Sequence, residues 1–466
     1  MLCREKKVEN LSFKQDVLLS CLVCYSEEEL KSNKKEGMKN EATNPREDDI
    51  LNQALTSLWN KNFLLLSIGK IFSIFGNQVL TFALPLYILQ ASGSPALFGT
   101  ILGLSFLPTA ITVPIGGIMA DRLKKRLIMF WLDVAVTLII LLYMIISGML
   151  GTVAPIMMVK LLALNAIQGM YLPAVQASTP LLVPENNLVR ANAIMDTINT
   201  LANMAAPAAA GILLARFGLS PVLVVCAICF AVTSGMDLLI RIPYEKQETN
   251  EGILQIVKGD MAKAFHFATK EKPILIKMAI LMFVLSLIVA GILSGGVPIF
   301  ITQYLGMGAE YIGIGRGLAW SGGLIGGLIA GILGERLTIK RVPLASVVLT
   351  LSLVPVGFAL LLDMSAFAAF VVIIIADTIC GVALMLWIIP IWAYVQRATP
   401  PEILGKVLSL FAGIPVIAMG LGFFLIGVLL EQFYTVPWLI IFIAVFICII
   451  TIVLLRKYFK EAAVEA

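Results

Sequence analysis

From residue 63 onward the chain is a succession of long apolar runs separated by short polar or basic stretches. A helix needs about 20 apolar residues to cross roughly 30 Å of hydrocarbon. Runs of that length fall at 63–89, 97–120, 127–150, 154–176, 191–214, 220–240, 274–303, 311–334, 342–362, 366–395, 406–430 and 435–456. The pattern predicts an all-α polytopic membrane protein with twelve transmembrane helices. Pro and Gly recur inside the runs, as bilayer helices tolerate better than soluble ones. Residues 1–57 are instead polar, mixed in charge and rich in Glu and Lys, which predicts a disordered or loosely helical cytoplasmic extension. Within them Val17 to Tyr25 is too short, and too closely preceded by Asp16, for a signal peptide. The stretch from Met38 to Trp59 reads as an ordinary short lead into a first span, so translation is expected to start at Met38. Mass spectrometry of the native amino terminus checks this, and an intact peptide from residues 1–37 refutes it.

Composition sharpens the class. Of 466 residues, 59% are apolar and 14% charged, against about 25% charged in ordinary globular proteins. The charges are also uneven, because 21 of the 63 lie in the first 61 positions and 42 serve the other 405. So few cannot clothe a soluble surface, which removes soluble enzymes, nucleic-acid binders and secreted disulfide scaffolds. The net charge of +5 is too small to point to a nucleic acid. Seven cysteines form no extracellular pattern; Cys21-x-x-Cys24 is a weak metal signal, and Cys226 and Cys229 read as helix packing. The one histidine, His266, falls in the central loop, so neither a metal nor another cofactor is expected. The absence of a Gly-x-x-x-x-Gly-Lys-Ser/Thr loop argues against an ATP-driven pump of the P-loop kind.

Orientation follows from the loops. One side holds Arg122, Lys124, Lys125, Arg126, Arg190, the cluster from Arg241 to Lys277, Arg336, Lys340, Arg341, Arg397, Lys406, Arg456, Lys457 and Lys460, whereas the other holds only Arg216. By the positive-inside rule both termini are cytoplasmic in a multi-pass protein of the cell membrane. The organisation expected is an extension at 1–57, a six-helix bundle at 58–240, a linker at 241–273 with an amphipathic helix from Ile253 to Thr269, a second bundle at 274–456 and a tail at 457–466. An internal repeat supports the division. Gly117-x-x-x-Asp121-Arg122 is echoed by Gly331-x-x-x-Glu335-Arg336, and Val175-Gln176-Ala-Ser-Thr179-Pro180 by Val395-Gln396-Arg-Ala-Thr399-Pro400, at offsets of 214 and 220. Two six-helix pseudo-repeats around a midplane cavity are the architecture of a rocking transporter.

At these residues the chain resembles the major facilitator superfamily. Gly117 to Arg126 is similar to the signature Gly-x-x-x-Asp-Arg-x-Gly-Arg-Arg between the second and third helices, with Lys124 in place of the second Gly and Lys125 in place of the first paired Arg. Ser178 to Asn192, with Ile242-Pro243 closing the sixth helix, resembles the macrolide-efflux and siderophore-export branch. Ala202-x-x-x-Ala206-Pro207-x-x-Ala210-Gly211 is a degenerate likeness of the antiporter motif Gly-x-x-x-Gly-Pro-x-x-Gly-Gly, and equally a plain small-residue packing face. The resemblance covers about 59–460. It implies a gate in which Gly117 admits a neighbouring helix while Asp121, Arg122, Arg126, Asp133, Glu335 and Arg336 form ion pairs; the bland alternative is that Arg122 to Arg126 only fix topology. The family often carries Arg near the position held here by Asn165, so that coupling charge is missing.

Polar groups inside spans cost roughly 2.5–3.5 kcal/mol each when ionisable, so each asks for a reason. Asn192, Asp196, Asn199 and Asn203 recur at spacings of four, three and four on one narrow helix face, which predicts a stripe toward water or substrate. Asn77, Gln78, Asn165 and Gln168 extend the set of candidate substrate contacts. Asp377, about a third of the way along the tenth span, is the leading proton-coupling candidate and Asp196 the second. A carboxyl that is neutral when open to one side and charged when open to the other couples proton entry to substrate exit. A structural carboxyl or a partner for another helix is the alternative for Asp377. Lys160 and Arg316 are expected to snorkel to the far headgroups, with Trp320 near Arg316 at a cavity mouth. Asp237 and Arg241 are expected to pair locally, and Trp387, Trp392 and Tyr394 to belong to the inner interfacial belt.

The function these features favour is secondary active transport: proton-coupled efflux of hydrophobic or amphipathic small molecules, macrolide-like drugs or siderophores, by a monomer in a lipid bilayer. Uptake or facilitated transport of a metabolite or lysophospholipid on the same fold stays open. A polytopic membrane enzyme or a sensor is the remoter alternative.

Overall fold

The computed structural model describes residues 60–150, 154–184, 187–242, 265–362 and 364–465. The extension at 1–57, the possible start at Met38 and most of the linker lie outside the described residues. Among the described residues, twelve helices are long and apolar enough to span a bilayer. They are α1 (Lys61–Ser92), α2 (Pro95–Arg122), α3 (Lys125–Leu150), α4 (Ala154–Leu182), α5 (Leu188–Phe217) and α6 (Leu219–Leu239). After the linker come α7 (Pro273–Tyr304), α8 (Ala309–Leu333), α9 (Ile339–Leu361), α10 (Ala366–Ala398), α11 (Pro401–Gln432) and α12 (Pro437–Glu465).

Local chemistry sets the ends. Asn60 caps α1 by accepting from the Phe63 amide at 2.9 Å, and Ser94 caps α2 through the Leu97 amide at 3.1 Å with Pro95 next in line. Gly93, at φ 66°, closes α1 in the left-handed conformation that only glycine adopts without strain. Exposed positions stay apolar, as at Trp131, Leu328 and Ile332, so burial cannot be read from hydrophobicity alone. Two helices depart from regular form. Residues Ser286–Gly296 of α7 form a π-helix, and α9 breaks between its segments Val342–Leu351 and Val354–Leu361.

Packing within the chain has a repeating logic. In the first half α1 packs on α5 and α6, α2 on α4, and α3 on α4 and α6. In the second half α7 packs on α11 and α12, α8 on α10, and α9 on α10 and α12. Each contact has its counterpart six helices on, which fits the duplication expected from the motifs. Two seams join the halves, α2 with α11 and α5 with α8.

Candidate functional site

The two seams are made by glycine, and they close at one end only. A Cβ on Gly99 of α2 would lie 2.9 Å from the Gly427 Cα of α11, and one on Gly211 of α5 would lie 3.0 Å from the Gly313 Cα of α8. These contacts sit at the side whose loops hold only Arg216, here called the far side. Toward the basic side the backbones part: a Cβ on Gly117 of α2, Gly413 of α11, or Gly323, Gly327 and Gly331 of α8 would meet nothing within 4 Å. The close approach expected at Gly117 is therefore absent from this conformation. Its neighbour Gly116 makes one instead, against the Met170 backbone of α4, because a step of one residue turns the small face by about 100°.

Polar latches reinforce the far closure. Glu431, at the end of α11, accepts from the Ser94 hydroxyl at 2.5 Å and from the Ala96 amide at 2.9 Å, so it caps the start of α2 from the other half of the chain. Gln303 at the end of α7 donates to the Gly93 carbonyl at 2.8 Å. The Tyr434 hydroxyl donates to the Gln303 carbonyl at 3.3 Å, and the Tyr304 and Tyr434 rings stack at 4.8 Å.

The polar stripe of α5 runs from Asn203, beside Met204 whose backbone still meets Gly317 of α8, toward the basic side. Asn192 and Asp196 are exposed, and Asn199 and Asn203 are half-buried. Gln78 of α1 donates to the Asn203 side-chain carbonyl, while the Asn203 amide donates to the Asn199 carbonyl at 2.8 Å. Lys70 of α1 donates to the Met195 carbonyl at 3.3 Å and lies within electrostatic range of Asp196. The structure thus brings Gln78, Asn199 and Asn203 together, with Asp196 further along the same helix beside Lys70. Asn77 and Gln168 are half-buried; Asn165 turns its amide back to the Leu161 carbonyl of its own helix at 2.9 Å.

Asp377 has a partner. Arg316 of α8 places a guanidinium nitrogen 3.6 Å from its Oδ2, with the two side chains 21% and 10% exposed. The second Arg316 nitrogen donates to the Ser294 hydroxyl at 2.9 Å, inside the π-helical stretch of α7. Arg316 does not snorkel: a carboxylate one helix away holds it inside the second half. Trp320, 38% exposed, remains near that helix's surface.

Three further expectations are corrected. Lys160 is 4% exposed, its Nζ has no hydrogen-bond partner, and it stands 4.0 Å over the Tyr143 ring of α3. The ring's negative face draws the ammonium inward. Asp237 does not pair with Arg241, because α6 ends at Leu239 and Ile240 is extended, which breaks the one-turn spacing. Asp237 is instead 1% exposed and lies within electrostatic range of Asp133, itself 2% exposed, beside Tyr171. Trp387 and Tyr394 are buried between helices rather than set in an interfacial belt. Of the remaining gate residues, Arg126 reaches the Ile240 carbonyl at 3.5 Å and so holds the end of α6. Arg336 is exposed in a short turn, Gly334–Arg336. The side chains of Asp121, Arg122 and Glu335 lie outside the described set.

Twelve helices, a seam closed at one face, and amides and a carboxyl that run along α5 toward its open face define a membrane carrier that acts on small molecules. The chain matches the model of the Major Facilitator Superfamily over residues 66–414 and belongs to that family, whose members are transporters, not enzymes. It is 25% identical to macrolide efflux protein A of Streptococcus pyogenes over 398 residues, 84% of this chain and 95% of that protein. It is 26% identical over 323 residues to multidrug resistance protein MdtG of Serratia proteamaculans, 64% of this chain and 72% of that one. Among solved structures, a peptide transporter POT in complex with alafosfalin has the same fold, with a TM-score of 0.70 at 12% identity, covering 90% of this chain and 99% of that one.

Proposed function

We propose that this transporter exports hydrophobic or amphipathic small molecules, macrolide-like drugs or siderophores, in exchange for protons and by alternating access. The observation that carries the reading is the polar cluster of Gln78, Asn199 and Asn203, continued along α5 toward the basic side by the exposed Asp196. A cavity lined by amides and little fixed charge suits bulky neutral or weakly basic solutes. The efflux proteins among its relatives support export over uptake.

In this mechanism both termini are cytoplasmic in the cell membrane, the polar cluster is loaded from the cytoplasm, and the chain works as a monomer. Arg316 and Asp377 form the coupling element. A proton arriving at Asp377 releases Arg316, and its departure restores the pair. Asp196, beside Lys70, is the second proton carrier. Gly117, Asp121, Arg122, Arg126, Asp133, Glu335 and Arg336 form the gate that closes the basic side when the far side opens, and Asn77, Asn165 and Gln168 complete the substrate contacts.

Expression in an efflux-deficient bacterium, followed by a susceptibility panel with and without a protonophore, tests the reading. Raised tolerance to a macrolide, lost when the protonophore is added, is expected. Inward accumulation of the solute, or tolerance indifferent to the protonophore, refutes it.

A further inference from the structure

The Arg316 guanidinium joins three helices. It belongs to α8; one terminal nitrogen faces the Asp377 carboxylate of α10 at 3.6 Å, and the other donates to the Ser294 hydroxyl of α7 at 2.9 Å. Coupling through Asp377 uses the first contact alone. The second differs from the common pattern of this chain, in which hydroxyls inside spans turn back on their own helix, as Ser346 does to the Val342 carbonyl at 2.8 Å and Thr350 to the Ser346 carbonyl at 2.9 Å. Ser294 instead receives a charge-assisted bond from another helix.

Ser294 stands in the π-helical part of α7, 11 residues from Ser286 to Gly296. Such turns are rare, mostly single, and frequent at functional sites. This segment packs on α11 backbone to backbone: a Cβ on Gly291 would lie 3.0 Å from the Gly422 carbonyl oxygen, and one on Gly422 would run into the Leu287 carbonyl. Two residues along a helix is a turn of about 200°, so Gly420 looks the other way. There a Cβ would lie 2.9 Å from the Gly103 carbonyl oxygen of α2. α11 is therefore held between the π-helical segment and the α2 seam with bare glycine on both faces, and neither contact has a side chain to absorb a movement of α7. On α8, Arg316 is three residues beyond Gly313, whose backbone meets Gly211 of α5 in the other seam.

We propose that Ser294 is a positioning residue for coupling: through it Arg316 acts on α7, and through the π-helical segment on α11, so that neutralising Asp377 reaches both seams and not α5–α8 alone. This role rests on Arg316 and Asp377 being the coupling element. When Asp377 takes up a proton, the guanidinium loses the charged one of these two partners and keeps the Ser294 hydroxyl. Its hold passes from α10 to α7, the helix that backs α11.

The test uses the full-length protein in detergent, with spin-label pairs across the far ends of α5 and α8 and across those of α2 and α11, and Asp377→Asn stands for the neutral carboxyl. In the otherwise native chain Asp377→Asn is expected to shift the open population of both seams. With Ser294→Ala, the α5–α8 seam responds as before and the α2–α11 response falls by about fivefold or more. Ser294→Thr, which keeps the hydroxyl, restores it. A hydroxyl that only supports packing changes the resting distances but not the difference that Asp377→Asn makes. An α2–α11 seam that ignores Asp377→Asn, an equal response in Ser294→Ala, or a Ser294→Thr variant that behaves like Ser294→Ala overturns the role of Ser294 and leaves coupling at α5–α8 standing. If neither seam responds to Asp377→Asn, the coupling reading falls and the role of Ser294 with it.

Discussion

Asp377→Asn separates a coupling role from a purely structural one. The substitution leaves the Arg316 guanidinium with the Ser294 hydroxyl as its remaining described hydrogen-bond partner. At 3.6 Å and an effective dielectric of about 20, the lost attraction is about 4–5 kcal/mol. Measured losses for removing one partner of a buried pair are about 3–5 kcal/mol, much of it the stranded charge. Adding Arg316→Gln removes that stranded charge, so the double variant is expected to recover most of the stability the single variant loses. The assays are thermal unfolding in detergent and drug accumulation in efflux-deficient cells at several external pH values, with membrane levels matched. A structural pair predicts that the double variant recovers transport together with stability. A coupling pair predicts that stability returns while pH-dependent efflux does not. Full, pH-dependent efflux by the double variant would refute the coupling role, and an unperturbed melting curve for Asp377→Asn would refute the pair itself.

Three other perturbations follow from the geometry. Glu431→Ala removes both bonds by which α11 caps α2; the group is exposed, so the loss is about 1 kcal/mol after solvent screening, roughly a fivefold shift toward far-side opening, and unchanged distances between spin labels on the far ends of α1 and α11 would count against it. Gly313→Leu drives a side chain into the Pro207 carbonyl and the Gly211 backbone, where nothing flexible can yield; overpacking costs about 1–3 kcal/mol, and proton leak through reconstituted vesicles is expected to rise, whereas Gly323→Leu, which meets open space, serves as the silent control. Lys160→Met keeps the packing on Tyr143 but removes a buried ammonium without a hydrogen-bond partner, so the melting temperature is expected to hold or rise; a fall of several degrees would show that the charge itself stabilises the first half.

The spans were legible because apolar length is a one-dimensional property, and the α5 stripe because spacings of three and four need only one helix. What a single helix cannot state is its rotation against its neighbours. Lys160 reads equally as a snorkelling or an inward lysine until Tyr143 is found opposite, and Arg316 until Asp377 is. The Asp237–Arg241 error had a visible remedy: Ile242-Pro243 marks a helix end, and one-turn spacing holds only inside a helix. Glu431 gave no local signal, since its partners lie more than 330 residues away.

The two ends of the seams differ in chemistry, and that difference bears on how the proposed exchange would work. The far side is sealed by glycine backbone against glycine backbone, a contact built on dispersion and shape that forms without ordering long side chains. Few polar bonds must then break for it to open, chiefly those of Glu431 and Gln303. The proposed gate on the basic side relies on charged groups instead, which desolvate when they meet and regain water when they part. A carrier needs its two closed states within a few kcal/mol of each other, and these two kinds of closure respond to different things. Glycine packing is indifferent to protonation, whereas ion pairs are not. The Arg316–Asp377 pair spans α8 and α10 beside the glycine seam of α5 and α8, so in the proposed exchange a proton at Asp377 would act, through Arg316, on the helix that forms that seam. The proposed coupling therefore needs no wire between distant gates, only the loss of the α10 carboxylate that holds Arg316 of α8, the helix that packs against α5.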